Sequence, residues 1–210
     1  MSKIRFYIKY FYHLCCKYYL QYVCKINIAQ ELSYFRPNYG DLLNIYRVVI
    51  KHKPKKCVEI GGGYSTFVIL KALEKNYKKD GIKTELLSIE QNDKYLEIHK
   101  EYLKNNINER FLNFLILKKT DLEIKHFQNT EVSVCNKLII NEIDFFYEDR
   151  TDHEKVKIAG DALIHQTKSS KNFIIIVDGM LETVNFYKKN LNKYYLITGG
   201  FFYGTTFIPK

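Results

Sequence analysis

Short apolar runs alternate along the chain with stretches in which apolar residues recur every three or four positions. The apolar runs predict strands, and the run at 173–177, apolar throughout, is typical of a parallel strand buried on both faces. Helical spacing predicts helices between the strands, one of them beginning at Asp93 as its cap and ending at Asn106. The predicted strands lie at 57–60, 86–90, 111–117, 143–147 and 173–177, and the other helices begin near Ser65 or cover 159–166 and 181–191.

This order of elements predicts an α/β fold with a mostly parallel sheet and helices on both faces. Two apolar segments, 194–198 and 203–208, flank a pair of glycines and predict a C-terminal antiparallel hairpin. The segment 118–138 fits either a long loop or a small extra hairpin. A basic, aromatic-rich stretch precedes the alternating pattern, so we predict an N-terminal helical arm at 1–30 and one domain at 31–210.

The junction between the first strand and the next helix carries three consecutive glycines, beginning at Gly61 and ending at Gly63. Glycine lets the backbone approach a ligand closely, and the helix that follows would point unpaired N–H groups at it. The junction is therefore a candidate cofactor site, and a turn without a ligand is the alternative. Dinucleotide-binding turns carry a later glycine in G-x-G-x-x-G, but Tyr64, Ser65 and Thr66 follow here, which disfavours an NAD-type oxidoreductase.

An acidic residue, Glu59, lies inside the strand, two positions before Gly61. The resulting Glu-x-Gly-x-Gly resembles the first motif of class I S-adenosylmethionine-dependent methyltransferases. The resemblance implies that Glu90, at the end of the second strand, accepts hydrogen bonds from both ribose hydroxyls, whereas a solvated strand end is the alternative. A carboxylate suits a vicinal diol because it offers only acceptors, in a fork. The candidate cofactor-binding residues are Glu59, Gly61, Gly62, Gly63, Tyr64, Ser65, Thr66 and Glu90.

The resemblance extends over most of the chain, roughly from Leu32 to the C-terminus. It is to a bacterial group of methyltransferases often associated with cell-surface polysaccharide genes. It implies a Rossmann-like fold and O-methylation of a sugar or another small polar acceptor, in polysaccharide biosynthesis. The segments that carry it are 32–34, 36–42, 53–56, 59–66, 144–149 and 174–179.

Two residues depart from the pattern of that group. Arg150 stands where the group commonly has glycine, and Met180 where it commonly has arginine. Both positions are expected at the rim of the active site. A catalytically silent binding protein that keeps the fold therefore stays an alternative to the enzyme.

Acidic residues also follow the fourth and fifth predicted strands, at Asp149 and Asp178. Ligands bind beyond the carboxyl ends of parallel strands, so we expect these carboxylates to meet Glu90 and the glycine turn in one crevice. Asp149 and Asp178 are candidate catalytic residues that orient an acceptor hydroxyl or take its proton. His153 is a candidate general base because imidazole titrates near neutral pH, and a solvated loop residue is the alternative.

The same two carboxylates suit a divalent cation, as in catechol-type methyltransferases. Those enzymes usually follow the second acid with an asparagine, whereas Gly179 follows Asp178 in this chain. We therefore favour a site without a metal.

Positive charge is concentrated at the N-terminus. Residues 1–56 hold eleven Lys or Arg against two acids, which accounts for +9 of the total +10, so the remainder shows no basic face for nucleic acid. The predicted helix could lie on an anionic membrane surface through residues 1–25, or pack on the domain or a second subunit. Nucleic-acid binding through the arm is a weaker alternative. The apolar stripe of this helix consists of Ile4, Ile8, Phe11, Cys15, Tyr18 and Tyr22.

The cysteines indicate the compartment. There are five, an odd number without C-x-x-C spacing, which favours a reducing environment. No apolar run approaches the roughly eighteen residues that span a bilayer, and no signal-peptide pattern is present. We predict a cytoplasmic location, with the arm as a contact to the inner face of the membrane. The oligomeric state is left open.

Overall fold

The computed structural model describes residues 3–28, 36–138, 140–150, 156–191, 194–198 and 204–209. Its central feature is a seven-stranded sheet, accompanied by a separate two-stranded sheet. In the described part of the chain the strands are β1 (Lys56–Ile60), β2 (Glu85–Glu90), β3 (Leu115–Lys119), β4 (Leu122–Phe127), β5 (Thr130–Cys135), β6 (Phe145–Glu148), β7 (Ile174–Val177), β8 (Tyr194–Thr198) and β9 (Thr205–Pro209).

The large sheet has the strand order β3-β2-β1-β6-β7-β9-β8. Its first five strands are parallel, and β9 and β8 add an antiparallel pair at one edge. The chain runs outward from β1 to β3 and then returns to place β6 on the other side of β1. This reversal of strand order is the point at which open α/β sheets form a ligand crevice. The predicted fold class, including the C-terminal hairpin, is confirmed.

Helices connect the strands and cover the sheet. The first helix is followed directly by a π-helical turn at Tyr19–Val23. The sixth helix is followed by a 3₁₀-helical turn at Gln166–Lys168. Among the helices of the described residues, none is long and apolar enough to cross a membrane. The helices are α1 (Lys3–Tyr18), α2 (Tyr39–His52), α3 (Tyr64–Asp80), α4 (Asp93–Asn106), α5 (Glu109–Leu112), α6 (Asp161–His165) and α7 (Leu181–Asn190).

The sheet is buried on both faces, which explains why its central strands have few polar residues. Side chains alternate between the faces of a strand, so Ile174 and Ile176 join one apolar cluster while Ile175 and Val177 join another. The first cluster contains residues of α2 and α3, and the second contains residues of α6, α7 and β5. The two clusters hold the strand ends in fixed positions on which a site can be built.

Several sequence predictions differ from the structure at element boundaries, among them the fourth strand, which was predicted at 143–147 and lies at Phe145–Glu148. The third strand begins at Leu115, because Asn108 caps the short helix α5 by accepting a hydrogen bond from the N–H of Arg110 at 3.0 Å. Asn92, and not Asp93, caps α4, since its side chain accepts from the N–H groups of residues 94 and 95. The sixth helix is shorter than predicted and begins at Asp161.

The segment left open between a loop and a hairpin is a hairpin. Strands β4 and β5 pair antiparallel and form the separate two-stranded sheet. The inner face of β5 packs into the second apolar cluster through Val132 and Val134.

The N-terminal arm packs against the rest of the chain along one side. Cys16, Leu20, Ile26 and Ile28 are buried in the same apolar cluster as α2. The division that we predict between residues 30 and 31 lies outside the described residues.

Candidate functional site

A cavity of about 350 Å³ lies at the reversal point of the sheet. The glycine turn after β1, the end of β2, the first two turns of α4, the residues that follow β6 and β7, and the start of α2 all contribute to its wall. The lining residues are Arg36, Pro37, Asn38, Asp41, Leu42, Gly61, Gly62, Gly63, Tyr64, Ser65, Glu90, Tyr95, Ile98, His99, Tyr147, Asp149 and Asp178.

The three glycines of the turn meet different requirements. Gly61 has φ +87°, and a Cβ there would lie 1.5 Å from the carbonyl oxygen of Asp149. A Cβ on Gly62 would lie 2.6 Å from Nδ1 of His99, whereas one on Gly63 would meet nothing within 4 Å. The first two glycines therefore let neighbouring groups close around the turn, and the third leaves open space beside the cavity.

Glu59 lies beneath the turn, fully buried. Its Oε2 accepts hydrogen bonds from the hydroxyl of Thr66 and from that of Ser88, the latter at 2.8 Å. Burial raises the pKa of Glu59 to about 7. Neither Glu59 nor Thr66 lines the cavity, whereas Tyr64 and Ser65 do. The structure thus places Glu59 and Thr66 as supports of the turn, one layer behind the residues that a ligand would contact.

The raised pKa of Glu59 leads to a prediction about stability. Between pH 4.5, its ordinary pKa, and about 7, the folded chain keeps a proton that the unfolded chain has released, so stability falls as the pH rises. Glu59→Gln cannot ionise and still accepts from both hydroxyls. We expect it to be more stable than the wild type by about 1–3 kcal/mol at pH 8, with a much smaller difference at pH 5. Urea denaturation at both pH values measures this.

Glu85→Gln is the control for that experiment, because Glu85 is an exposed carboxylate on the neighbouring strand β2. Its free energy of unfolding should follow that of the wild type at both pH values. The free energy of unfolding of Glu59→Gln could instead change with pH as that of Glu85→Gln does. This result would contradict the inference that ionised Glu59 destabilises the folded protein at pH 8.

Glu90 ends β2 at the edge of the cavity. Its Oε1 accepts hydrogen bonds from the N–H of Gln91 at 2.8 Å and from that of Asn92 at 3.0 Å. These two bonds fix the orientation of the carboxylate. Among the residues that the structure describes, none donates a hydrogen bond to Oε2, so this oxygen can accept one from a ligand hydroxyl.

His99 lines the cavity from α4 and was not predicted as a site residue. It is only 3% exposed, and burial lowers its pKa to about 4, so the imidazole is neutral at pH 7. The backbone of Gly63 lies close enough to oppose that lowering of the pKa in part, but neither ring nitrogen makes a hydrogen bond of ordinary geometry within the described residues. The sequence showed only that His99 shares the apolar face of a helix, and the contact with Gly62 that brings it to the cavity is not visible in such a pattern.

Asp149 and Asp178 both line this cavity, as predicted from their places after neighbouring strands. Burial and, next, the charge of Asp178 raise the pKa of Asp149 to about 7. Asp178 accepts a hydrogen bond from the hydroxyl of Tyr147 at 3.1 Å, and burial raises its pKa as well. Asp149 therefore titrates close to neutral pH.

A third carboxyl group, Asp41, completes this acidic cluster and was missed at the level of sequence. Burial and then Asp178 raise its pKa to about 8, and it donates a hydrogen bond to Asp178. Asn38 and the N–H of Gly204 donate to Asp41 in turn. Asp41 lies within the segment 36–42 that carries the family resemblance, and that was the only sequence signal for it.

Arg150 does not lie at the rim of the cavity, contrary to the prediction. Its guanidinium is fully buried and pairs with Glu148 at 3.0 Å and with Asp161. It also donates to the carbonyl and hydroxyl oxygens of Ser133 at 3.1 and 3.0 Å. The side chain of Arg150 therefore points away from the cavity, because these partners lie on the opposite face of the strand.

The prediction of Met180 at the rim and that of His153 as a base have different outcomes. Met180 is buried in the second apolar cluster and does not line the cavity, so that prediction was also wrong. His153, the candidate base, lies outside the described residues. Its role stays a prediction.

The described part of the chain contains no group of three or more His, Cys, Asp or Glu side chains arranged to hold a metal ion. The oxygens of Asp178 are instead engaged by Tyr147 and Asp41.

Comparisons with known proteins support the assignment of the fold. No protein-family model matches the chain, and no curated protein sequence matches it either. Among solved structures, the SAH-bound methyltransferase PaMTH1 of Podospora anserina shares 16% identity over 92% of this chain and 87% of its own, with a TM-score of 0.55. CalS11, a TDP-rhamnose 3'-O-methyltransferase of calicheamicin biosynthesis, shares 14% identity over 93% of both chains, with a TM-score of 0.52. The chain therefore has a Rossmann-like α/β fold, which it shares with these two methyltransferases.

Proposed function

We propose that the protein is an S-adenosylmethionine-dependent methyltransferase that methylates an oxygen of a sugar or another small polar acceptor. The observation that carries this proposal is the cavity at the reversal point, which the glycine turn and Glu90 line together with Asp149 and Asp178. One wall suits the donor and the other suits an acceptor. The fold shared with PaMTH1 and CalS11 is consistent with this function.

The donor wall matches the shape and charge of S-adenosylmethionine. The free space beside Gly63 admits the chain of the methionine moiety, and the free oxygen of Glu90 suits the ribose diol. The sulfonium of this donor is cationic, and the nearby carboxyl groups of Asp149 and Asp178 complement that charge. The neutral imidazole of His99 adds no positive charge that would oppose it.

The acceptor wall carries a group able to remove a proton. The bound donor supplies an activated methyl group, so the protein mainly aligns it with the acceptor oxygen. Asp149, with a pKa of about 7, is half ionised near neutral pH and can take the hydroxyl proton as the carbon–oxygen bond forms. Asp178, held by Tyr147 and Asp41, is fixed in position and can orient the acceptor hydroxyl.

The acceptor class rests on the family resemblance and on one structural neighbour. The resemblance is to methyltransferases associated with surface-polysaccharide genes, and CalS11 is named for methylation of a nucleotide sugar. The proposed role in polysaccharide biosynthesis rests on the resemblance alone, and CalS11 supports only a sugar as the acceptor. All five cysteines are free, which supports a place in the cytoplasm, where thiols stay reduced.

Two alternatives are less favoured. An NAD-type oxidoreductase is less favoured because this chain lacks the third glycine of the dinucleotide-binding motif. Thr66 occupies that position, and its hydroxyl donates a hydrogen bond to Glu59. The case for a catalytically silent binding protein depended on Arg150 and Met180 at the rim, and neither lines the cavity.

Glu90→Ala tests the donor site. Removing the carboxylate removes charge-assisted hydrogen bonds to the ribose, which should weaken binding of S-adenosylhomocysteine by about ten- to a hundredfold. Isothermal titration calorimetry of the wild type and the variant measures the loss. The same titration with NAD should give no binding to either protein.

Glu97→Ala serves as the matched control, because Glu97 is a largely exposed acid on α4 whose partner is the surface Lys100. It should bind S-adenosylhomocysteine as the wild type does. Equal affinity of a folded Glu90→Ala protein would remove Glu90 from the site, and binding of NAD in place of S-adenosylhomocysteine would overturn the proposed function.

A further inference from the structure

The N-terminal helix has two faces with opposite surroundings. One face packs on α2, where the rings of His13 and Tyr39 meet with centroids 4.9 Å apart and Arg47 lies 5.0 Å from the ring of Tyr19. The other face points into solvent with large apolar and aromatic side chains. More than half of the surface is exposed for each of Ile8, Phe11, Tyr18 and Tyr22, which we call the aromatic face.

We propose that the aromatic face docks the protein on an anionic lipid surface. Four large side chains exposed on one side of a helix mark an interaction site more often than an ordinary solvated surface. Tyrosine and phenylalanine suit the boundary between water and acyl chains, because their rings are apolar and the tyrosine hydroxyl stays hydrated. The stripe predicted from helical spacing is thus the face that the fold leaves uncovered, apart from Ile4, whose side chain is not described.

The positive charge of the N-terminal segment favours an anionic lipid surface over a second copy of the chain as the partner of the aromatic face. Residues 1–56 carry +9 of the total +10, and Lys9 and Lys25 are exposed in the same N-terminal segment as the aromatic face. Two copies that met through this face would bring equal positive charges together. An anionic headgroup layer attracts the same charges, with a gain of about fivefold in affinity for each lysine close to the surface.

Cosedimentation of the full-length chain with vesicles tests the proposal. We expect the wild type to pellet with vesicles of phosphatidylglycerol and phosphatidylcholine, and to stay largely in solution with phosphatidylcholine alone. A triple variant, Ile8→Ser, Phe11→Ser and Tyr22→Ser, should lower binding by about tenfold or more, because the apolar area available for insertion is lost. Lys9→Gln and Lys25→Gln should each lower it by about fivefold.

Substitutions are preferable to deletion of the arm, because Cys16 and Leu20 belong to the core. The matched control is the double variant Ile116→Ser and Ile124→Ser, whose side chains are exposed to a similar degree, 50% and 48%, on β3 and β4. It should bind vesicles as the wild type does, and thermal unfolding should show that all variants are folded.

Three results would overturn the proposal. The first is equal pelleting of the wild type and the triple variant, and the second is equal pelleting with anionic and neutral vesicles. The third is a dimer in light scattering that the triple variant converts to a monomer while vesicles bind neither, which would assign the face to a second copy. Each leaves the methyltransferase proposal untouched, since donor binding is measured without lipid.

Discussion

Gly61→Ala is expected to destabilise the protein by about 3 kcal/mol or more and to abolish binding of S-adenosylhomocysteine. The added methyl group would lie 1.5 Å from the carbonyl oxygen of Asp149, and φ +87° is strained for any residue with a Cβ. The turn cannot yield easily, because the N–H of Gly61 donates to the carbonyl of Ile89 at 2.9 Å. Urea denaturation and calorimetry with S-adenosylhomocysteine measure the two effects.

Gly81→Ala separates the steric effect from backbone strain. Gly81 has φ +70°, but a Cβ there meets nothing within 4 Å, and it ends α3 at the opposite end of that helix from the turn. We expect a loss of about 1 kcal/mol from strain alone, with unchanged donor binding. Equal losses of stability in the two variants would contradict the close approach of Asp149 to the glycine turn.

Asp149→Asn is expected to lower turnover by about a hundred- to ten-thousandfold and to leave the affinity for S-adenosylhomocysteine unchanged. The amide cannot take the acceptor proton, although it fills the same space. In the wild type, kcat/KM should rise with pH up to about 7 and then level off, because the base acts only when ionised. Transfer of labelled methyl groups to a set of nucleotide sugars and surface-glycan fragments supplies the acceptor and the assay.

Glu182→Gln is the control, since Glu182 is an exposed acid in the first turn of α7, close in sequence to Asp178. It should retain full turnover and the same pH profile. Full turnover in Asp149→Asn would show that Asp149 is not the base and leave Asp178 and His153 as the candidates. A pH profile without the inflection near 7 would lead to the same conclusion.

The parts of the site that depend on local patterns could be predicted from the sequence. Parallel strands end at one edge of a sheet, so Glu90, Asp149 and Asp178 were expected to meet, and in the structure they line one cavity. Hydrophobic periodicity gave most of the elements for the same reason, because burial on one or two faces leaves a regular pattern. Helix boundaries that depend on a capping residue, such as Asn92 before α4, were harder to predict from the sequence, because several neighbouring polar residues could have served as the cap.

Features that depend on contacts between distant segments could not be predicted. Asp41 reaches the acidic cluster because the N–H of Gly204, far away in the sequence, donates to it. His99 becomes part of the cavity through a close approach to Gly62. Arg150 was misplaced because the sequence shows its position after a strand but not the buried acids that attract its side chain to the other face.

The network around Arg150 has a consequence for how this site could change in evolution. Glu148 and Asp149 are consecutive, yet Glu148 is tied to Arg150 and to the hydroxyl of Tyr187 at 2.7 Å on one side of the strand, while Asp149 lines the cavity on the other. The end of β6 is therefore anchored by groups that take no part in ligand contact. If the cavity binds an acceptor as proposed, substitutions on the cavity side can change which acceptor is bound while the backbone of β6 keeps its position.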